Sequence, residues 1–174
     1  MRVRPLGVLV LALLAGCSAA VRPAAAPYGT GPDGEALSAP SPDVQQAYLA
    51  YWDDWLAANR PGGIAPEQLA RHADEPNLSI LRAALADAAK AGHTHTGQVG
   101  HHIEGMVADG ELRRIYDCVD VSRWLITDAA TGKPVDQFTG QPPQLSVMTL
   151  RQIDGAWKVT DIQKPMACSS AAGG

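Results

Sequence analysis

The chain has 174 residues, with 14 Lys and Arg against 18 Asp and Glu and a formal charge of −4. That size suits one domain able to bury a core. A mildly acidic chain without a basic run has no electrostatic footprint for nucleic acid, and charge does not draw it to an anionic lipid surface.

Arg2 and Arg4 precede an apolar run from Leu6 to Ala15. About ten residues are too few to cross a hydrocarbon core, which takes roughly 20 in a helix. The run closes on Leu14-Ala15-Gly16-Cys17, which resembles the lipobox of bacterial lipoproteins. The resemblance implies that residues 1–16 are a lipoprotein signal peptide and that Cys17 carries lipid as the first mature residue. Two acyl chains there would suffice for stable anchoring, so the expected address is the outer face of the cytoplasmic membrane. Loss of Arg2 and Arg4 with the leader would take the charge from −4 to about −6.

Residues 18–41 are dominated by Ala, Pro, Gly and Ser, as in Pro23-Ala24-Ala25-Ala26-Pro27. Such a stretch buries little apolar surface, so residues 17–41 read as the lipidated cysteine and a flexible tether. Ser41 then stands as an N-cap before Pro42. Val44, Tyr48, Tyr51, Trp55 and Ala58 follow at helical spacing, as far as Arg60-Pro61-Gly62-Gly63. A short helix is expected over Pro66 to His72. A third begins at Pro76, carries Leu78, Leu81 and Leu85, and stops at Gly92.

Beyond Gly92 the period becomes two. Val99, His101, Ile103 and Val107 share one face, and Asp109-Gly110 reads as a two-residue hairpin turn. With Ala108 opposite Glu111, His101 pairs Cys118 and Ile103 pairs Tyr116 on a face expected to pack on the helices. His102 then pairs Asp117 on the outer face. The second strand is expected to continue through Trp124 and Ile126 to a turn at residues 128–132. A third holds Leu145, Val147, Thr149 and Leu150; Asp154-Gly155 turns into a fourth at Trp157-Lys158-Val159. Three helices followed by an antiparallel meander predict an α+β fold.

With Cys17 lipidated, Cys118 and Cys168 remain, an even pair in an oxidising compartment, and a structural disulfide is the expected use. It would close a loop of about 50 residues, which the chain-entropy model converts to roughly 4 kcal/mol.

Ile115-Tyr116-Asp117-Cys118-Val119-Asp120-Val121-Ser122, Asp128-Ala129-Ala130-Thr131-Gly132 and Asp154-Gly155-Ala156-Trp157-Lys158-Val159-Thr160-Asp161, with Cys168 just beyond, together resemble the NTF2-like (SnoaL-like) superfamily. More narrowly, the chain is similar to small secreted lipoproteins of high-GC Gram-positive bacteria that pair cysteines at these two places. The resemblance spans roughly residues 43–168. It implies an NTF2-like domain over 42–168, with N-terminal helices packed on a curved four-stranded antiparallel sheet as a cone, and a disordered tail over 169–174. The superfamily includes isomerases, dehydratases, binding modules and adaptors, so fold does not choose the function.

His93, His95, His101 and His102 fall within ten residues. His93-Thr94-His95 has the alternation seen in zinc sites, but a third ligand and an outer shell are needed too, so solvated histidines and no metal are expected. His102 beside Asp117 could orient a base; on the outer face it is a surface pair. Asp53-Asp54 point apart on a helix and form no dyad. Tyr48, Tyr51, Trp55, His101, Tyr116 and Trp124 are the candidate lining of an apolar pocket, with Trp52 beside them. No nucleophile elbow or phosphate loop occurs.

These readings converge on a lipid-anchored binding or interaction domain without catalytic residues or cofactor. Its partner would be an envelope protein or a small apolar ligand. The alternative is an isomerase or dehydratase using His101 or His102 with Asp117 or Asp120. A homodimer through Ile115, Val119 and Val121 on the sheet's outer face is a third possibility.

Overall fold

In a computed structural model, residues 28–136, 141–163 and 165–168 are described. Residues 1–16 and Cys17, where a signal peptide and lipidation are expected, and residues 169–174, where a disordered tail is expected, lie outside the described residues. Within the stretch expected to be a tether, β1 (Gly29–Thr30) and β2 (Ala36–Leu37) pair antiparallel. Leu37 is buried, and Ser38 exchanges both backbone hydrogen bonds with Met106 at 2.9 Å. Residues 28–38 are therefore a strap laid on the domain, which corrects the tether boundary at 41. One apolar anchor, Leu37, is easily hidden among turn-forming residues.

The helices follow the apolar spacing. Helix α1 (Pro42–Asn59) buries Val44, Tyr48 and Tyr51, with Trp52 and Trp55 partly covered. Ser41 has N-cap backbone angles, but its side chain makes no cap hydrogen bond. A 3-10 helix covers Pro66–Arg71, and α2 (Asn77–Lys90) buries Leu78 and Leu81. Asp54 is buried because Arg71 donates to it from Nη2 at 2.6 Å and Nε at 3.3 Å. His72 Nδ1 meets Oδ2, the oxygen that also accepts from Arg71 Nε, at 2.8 Å. This cluster fastens α1 to the 3-10 helix and includes no second carboxylate.

Strands β3 (His93–Gly97), β6 (Trp124–Asp128) and β7 (Pro134–Asp136) form a separate three-stranded sheet in the order β3-β6-β7. The expected continuation of one strand through Trp124 is thus broken: the chain turns at residues 121–123, where Trp124 N–H donates to Val121 O at 2.9 Å. The central sheet holds β4 (Gly100–Asp109), β5 (Leu112–Asp120), β8 (Gln144–Ile153), β9 (Ala156–Ile162) and β10 (Met166–Ala167). β5 pairs with β4 and β8, and β9 and β10 share the other edge of β8. Among the described residues the fold is α+β with three helices and antiparallel sheets, and the central sheet has five strands rather than the expected four. Among the described residues no helix is long and apolar enough to cross a membrane.

The β4–β5 register differs from expectation for two local reasons. Asp109 pairs with Leu112, so the loop is Gly110-Glu111, and Gly110 at φ 55° takes the first loop position of a II′ turn. A bulge then falls between Ile103 and Gly105. Gly105 lies at φ 152°, and a Cβ there would stand 2.8 Å from Leu37 Cβ and 3.1 Å from Tyr28 Cβ. The strap therefore presses on the bulge, and the bulge exchanges the two faces of β4. Met106, Ile115, Met148, Leu150 and Val159 join the core under the helices. Tyr116, Cys118, Leu145 and Val147 form a second cluster on the back face with Leu37. Ile115 and Val119, expected on an outer face free for a second copy, are buried.

Candidate functional site

The corrected register turns Asp117 inward. Its carboxylate has no exposure and accepts three hydrogen bonds: from Tyr48 Oη at 2.6 Å, His101 Nδ1 at 2.6 Å and the His102 backbone N–H at 2.7 Å. A buried carboxylate is tolerable when its lone pairs are satisfied in this way. Burial, and then the Asp117 charge, push the Tyr48 hydroxyl well above the usual tyrosine range, so it stays a donor. His101 is the more exposed partner, with 18% of its side chain accessible. Its ring lies edge-on to Tyr48 at 6.0 Å and tilted against Trp52 at 5.1 Å. The imidazole–carboxylate pair expected on the outer face as His102 and Asp117 is thus an inner pair of His101 and Asp117. His102 is exposed.

The expected pocket lining does not assemble. Tyr48 and Tyr51 are core residues, and Asn77 Nδ2 reaches Tyr51 Oη at 3.3 Å. Trp55 meets Trp124 edge-on at 6.3 Å, and His95 stacks on Trp124 at 4.4 Å. His95 is therefore half-buried rather than solvated; burial, and then the neighbouring His93, hold its imidazole below the ordinary histidine value. Tyr116 lies on the opposite face, where its hydroxyl donates to Glu35 of the strap. Burial, and then that bond, push it up to about 12. Among the described residues no group of three His, Cys, Asp or Glu could hold a metal ion.

The back face carries the other element of interest. Cys118 and Cys168 form a disulfide with Cα atoms 5.8 Å apart, as the cysteine count predicts. It joins β5 to the residue after β10 and floors a cleft of about 770 Å³. The walls come from the start of β4, from Pro142 and Pro143 before β8, and from Pro165, Met166 and Ala167. Glu104 and Asp120 supply carboxylates, and Glu104 Oε1 stands 3.1 Å from Cys118 Sγ. His102 and Glu104 also border a smaller cleft of about 400 Å³ beside Tyr28, Gly29 and Thr30 of the strap. Of the pocket residues named from the sequence, His101 borders this cleft. Sequence reasoning missed the rest of its lining because the walls lie on segments far apart in the chain, with Cys118 and Cys168 as the other available signal.

No protein-family model matches the chain, and no curated protein matches it. In shape it is similar to the crystal structure of the intermembrane space region of chloroplast protein ARC6, with a TM-score of 0.56 and 17% identity. The match covers 74% of this chain and 99% of that one. At such identity the likeness concerns the fold alone.

Proposed function

We propose that the chain is a lipid-anchored extracytoplasmic binding domain of the NTF2-like kind, its helices and curved sheet forming a cone, with no catalytic role. Its partner is a small apolar ligand or another envelope protein. The observation that carries this reading is that Asp117 itself takes no part in lining the accessible cavity. Asp117 is buried under α1 with both its oxygens hydrogen-bonded, while the roomy cleft is lined by Cys118 and Cys168 on the other face of the sheet and reaches β4 at His101 and His102. The order of elements, helices first and antiparallel strands after, supports the NTF2-like assignment. The lipobox-like Leu14-Ala15-Gly16-Cys17 supports the anchor.

Native mass spectrometry of the protein purified from its own envelope, before and after denaturation, tests the binding role. A mass lost on denaturation identifies the ligand; identical masses together with failure to co-purify an envelope protein defeat the reading. Cys17→Ala is expected to move the protein to the soluble fraction, and continued tight membrane association would refute the anchor.

One observation favours an acid–base enzyme instead. Asp117 holds His101 through Nδ1, which leaves Nε2 to act as a base, and the side chain is partly accessible. The variant His101→Asn separates the two. As part of a structural pin, His101 should cost more than about 1 kcal/mol to remove; unchanged stability would favour the enzyme.

A further inference from the structure

We infer that the cleft over the Cys118–Cys168 disulfide binds a cationic amphiphile: an apolar chain or ring system bearing an ammonium-type head. The inference rests on the binding role proposed above and names its site and ligand class. The volume of about 770 Å³ falls in the roughly 300–1,000 Å³ range of small-molecule sites. The disulfide, the three prolines, Met166 and Ala167 offer apolar surface for the ligand body.

The charged groups select the head. Among the described lining residues the fixed charges are Glu104 and Asp120, with no Lys or Arg. Asp120 already accepts the Ser122 backbone N–H at 2.9 Å. Glu104 is half-buried, and its close neighbour Cys118 Sγ has no proton to donate, because the sulfur is in the disulfide. Among the described residues Glu104 has no ion-pair partner. A half-buried carboxylate over an apolar floor attracts a cation and repels sulfate or phosphate heads.

The strap places the cleft within reach of such molecules. His102 and Glu104 separate it from the smaller cleft at Tyr28. From Tyr28 to Cys17 is eleven residues, at most ~40 Å of extended chain. An anchored protein thus keeps this face within that distance of the bilayer in which amphiphiles dissolve.

The test is calorimetric titration of the Cys17→Ala chain with decyltrimethylammonium, decyl maltoside and decyl sulfate, each below its micelle-forming concentration. The ammonium is expected to bind at least about tenfold tighter than the sulfate. Glu104→Gln should remove roughly tenfold of its affinity, the size of one charge-assisted contact, while the maltoside is unaffected. Asp87→Asn removes the same charge from an exposed position of α2 and should change little; an equal loss there would reduce the effect to net charge and overturn the site. Ala167→Trp should fill the cleft and abolish binding. Independently of that variant's folding, amide shifts in the parent on adding the ammonium should cluster at 100–104, 144 and 166–168. Equal affinity for all three probes, no binding, or shifts elsewhere would overturn the proposal without touching the anchor, which fails separately if Cys17→Ala stays membrane-bound.

Discussion

On the helix side of the central sheet, Ile115, Met148, Leu150 and Val159 lie beneath α1 and α2, and a buried carboxylate ties three elements together. On the back, Tyr116, Leu145 and Val147 pack with Leu37 of the strap and with Cys168, which is stapled to Cys118 just after the two-residue edge strand β10. The first side is closed by long amphipathic helices, the second by short pieces that bury little surface of their own. That contrast explains where the accessible cleft lies. It also explains why a covalent bond is placed there: a cover with few apolar contacts gains most from a constraint on the unfolded chain.

The largest expected effect breaks the helix side. Asp117→Ala leaves the Tyr48 hydroxyl and the His101 ring without their buried acceptor, and should cost roughly 3–5 kcal/mol of unfolding free energy by denaturant titration. A loss under about 1 kcal/mol would mean that the carboxylate does not organise this face. On the back, removing the disulfide with Cys118→Ser and Cys168→Ser should cost up to about 4 kcal/mol. Amide exchange should then quicken first at Leu145 and Val147, while Ile115 and Leu150 keep their protection. Equal quickening on both sides would show that the two are one cooperative unit.

What could be read from the sequence follows the same division. The boundaries of α1, the 3-10 helix and α2 were legible because Val44, Tyr48 and Tyr51, and then Leu78 and Leu81, repeat at helical spacing between Pro and Gly punctuation. The Asp154-Gly155 turn was legible too, and it sits between the paired residues Ile153 and Ala156. The face of β5 was not, because the bulge before Gly105 is set by a contact with Leu37 and Tyr28, about 70 residues away in the chain. Once the register shifted, the right histidine for Asp117 changed from His102 to His101. The sequence offers both His101 and His102 as partners of Asp117 in the enzyme alternative, and the choice between them depends on the bulge and so on the strap.

Gly105→Ala probes that dependence directly. Any side chain there meets Leu37 and Tyr28 from a backbone conformation that suits glycine. A loss of about 1–3 kcal/mol is expected, through strain and a displaced strap. Limited proteolysis should then cut within residues 28–38 faster than in the parent. If the variant is as stable and as resistant as the parent, the strap does not hold the bulge.

The two sides should also respond to acid in different windows, and this is the smallest effect. The half-buried His95 has its Nδ1 buried with no hydrogen-bond partner among the described residues, and its proton affinity is lowered from the ordinary value of 6.5 by burial and His93. The unfolded chain then binds the proton more readily, so the contribution is complete above pH 6.5 and is lost as pH falls through the lowered folded value. Glu35 of the strap is lowered from 4.5, first by the Tyr116 hydroxyl, and its contribution is present above 4.5 and lost below its own folded value. Acidification should therefore loosen β3 and β6 before it loosens the strap, as followed by amide exchange across pH 7 to 3. His95→Phe keeps an aromatic ring on Trp124 and should erase the first window alone, and Glu35→Gln the second alone. A single transition that neither variant moves would show that these two groups do not set the acid response, and that the two faces open together.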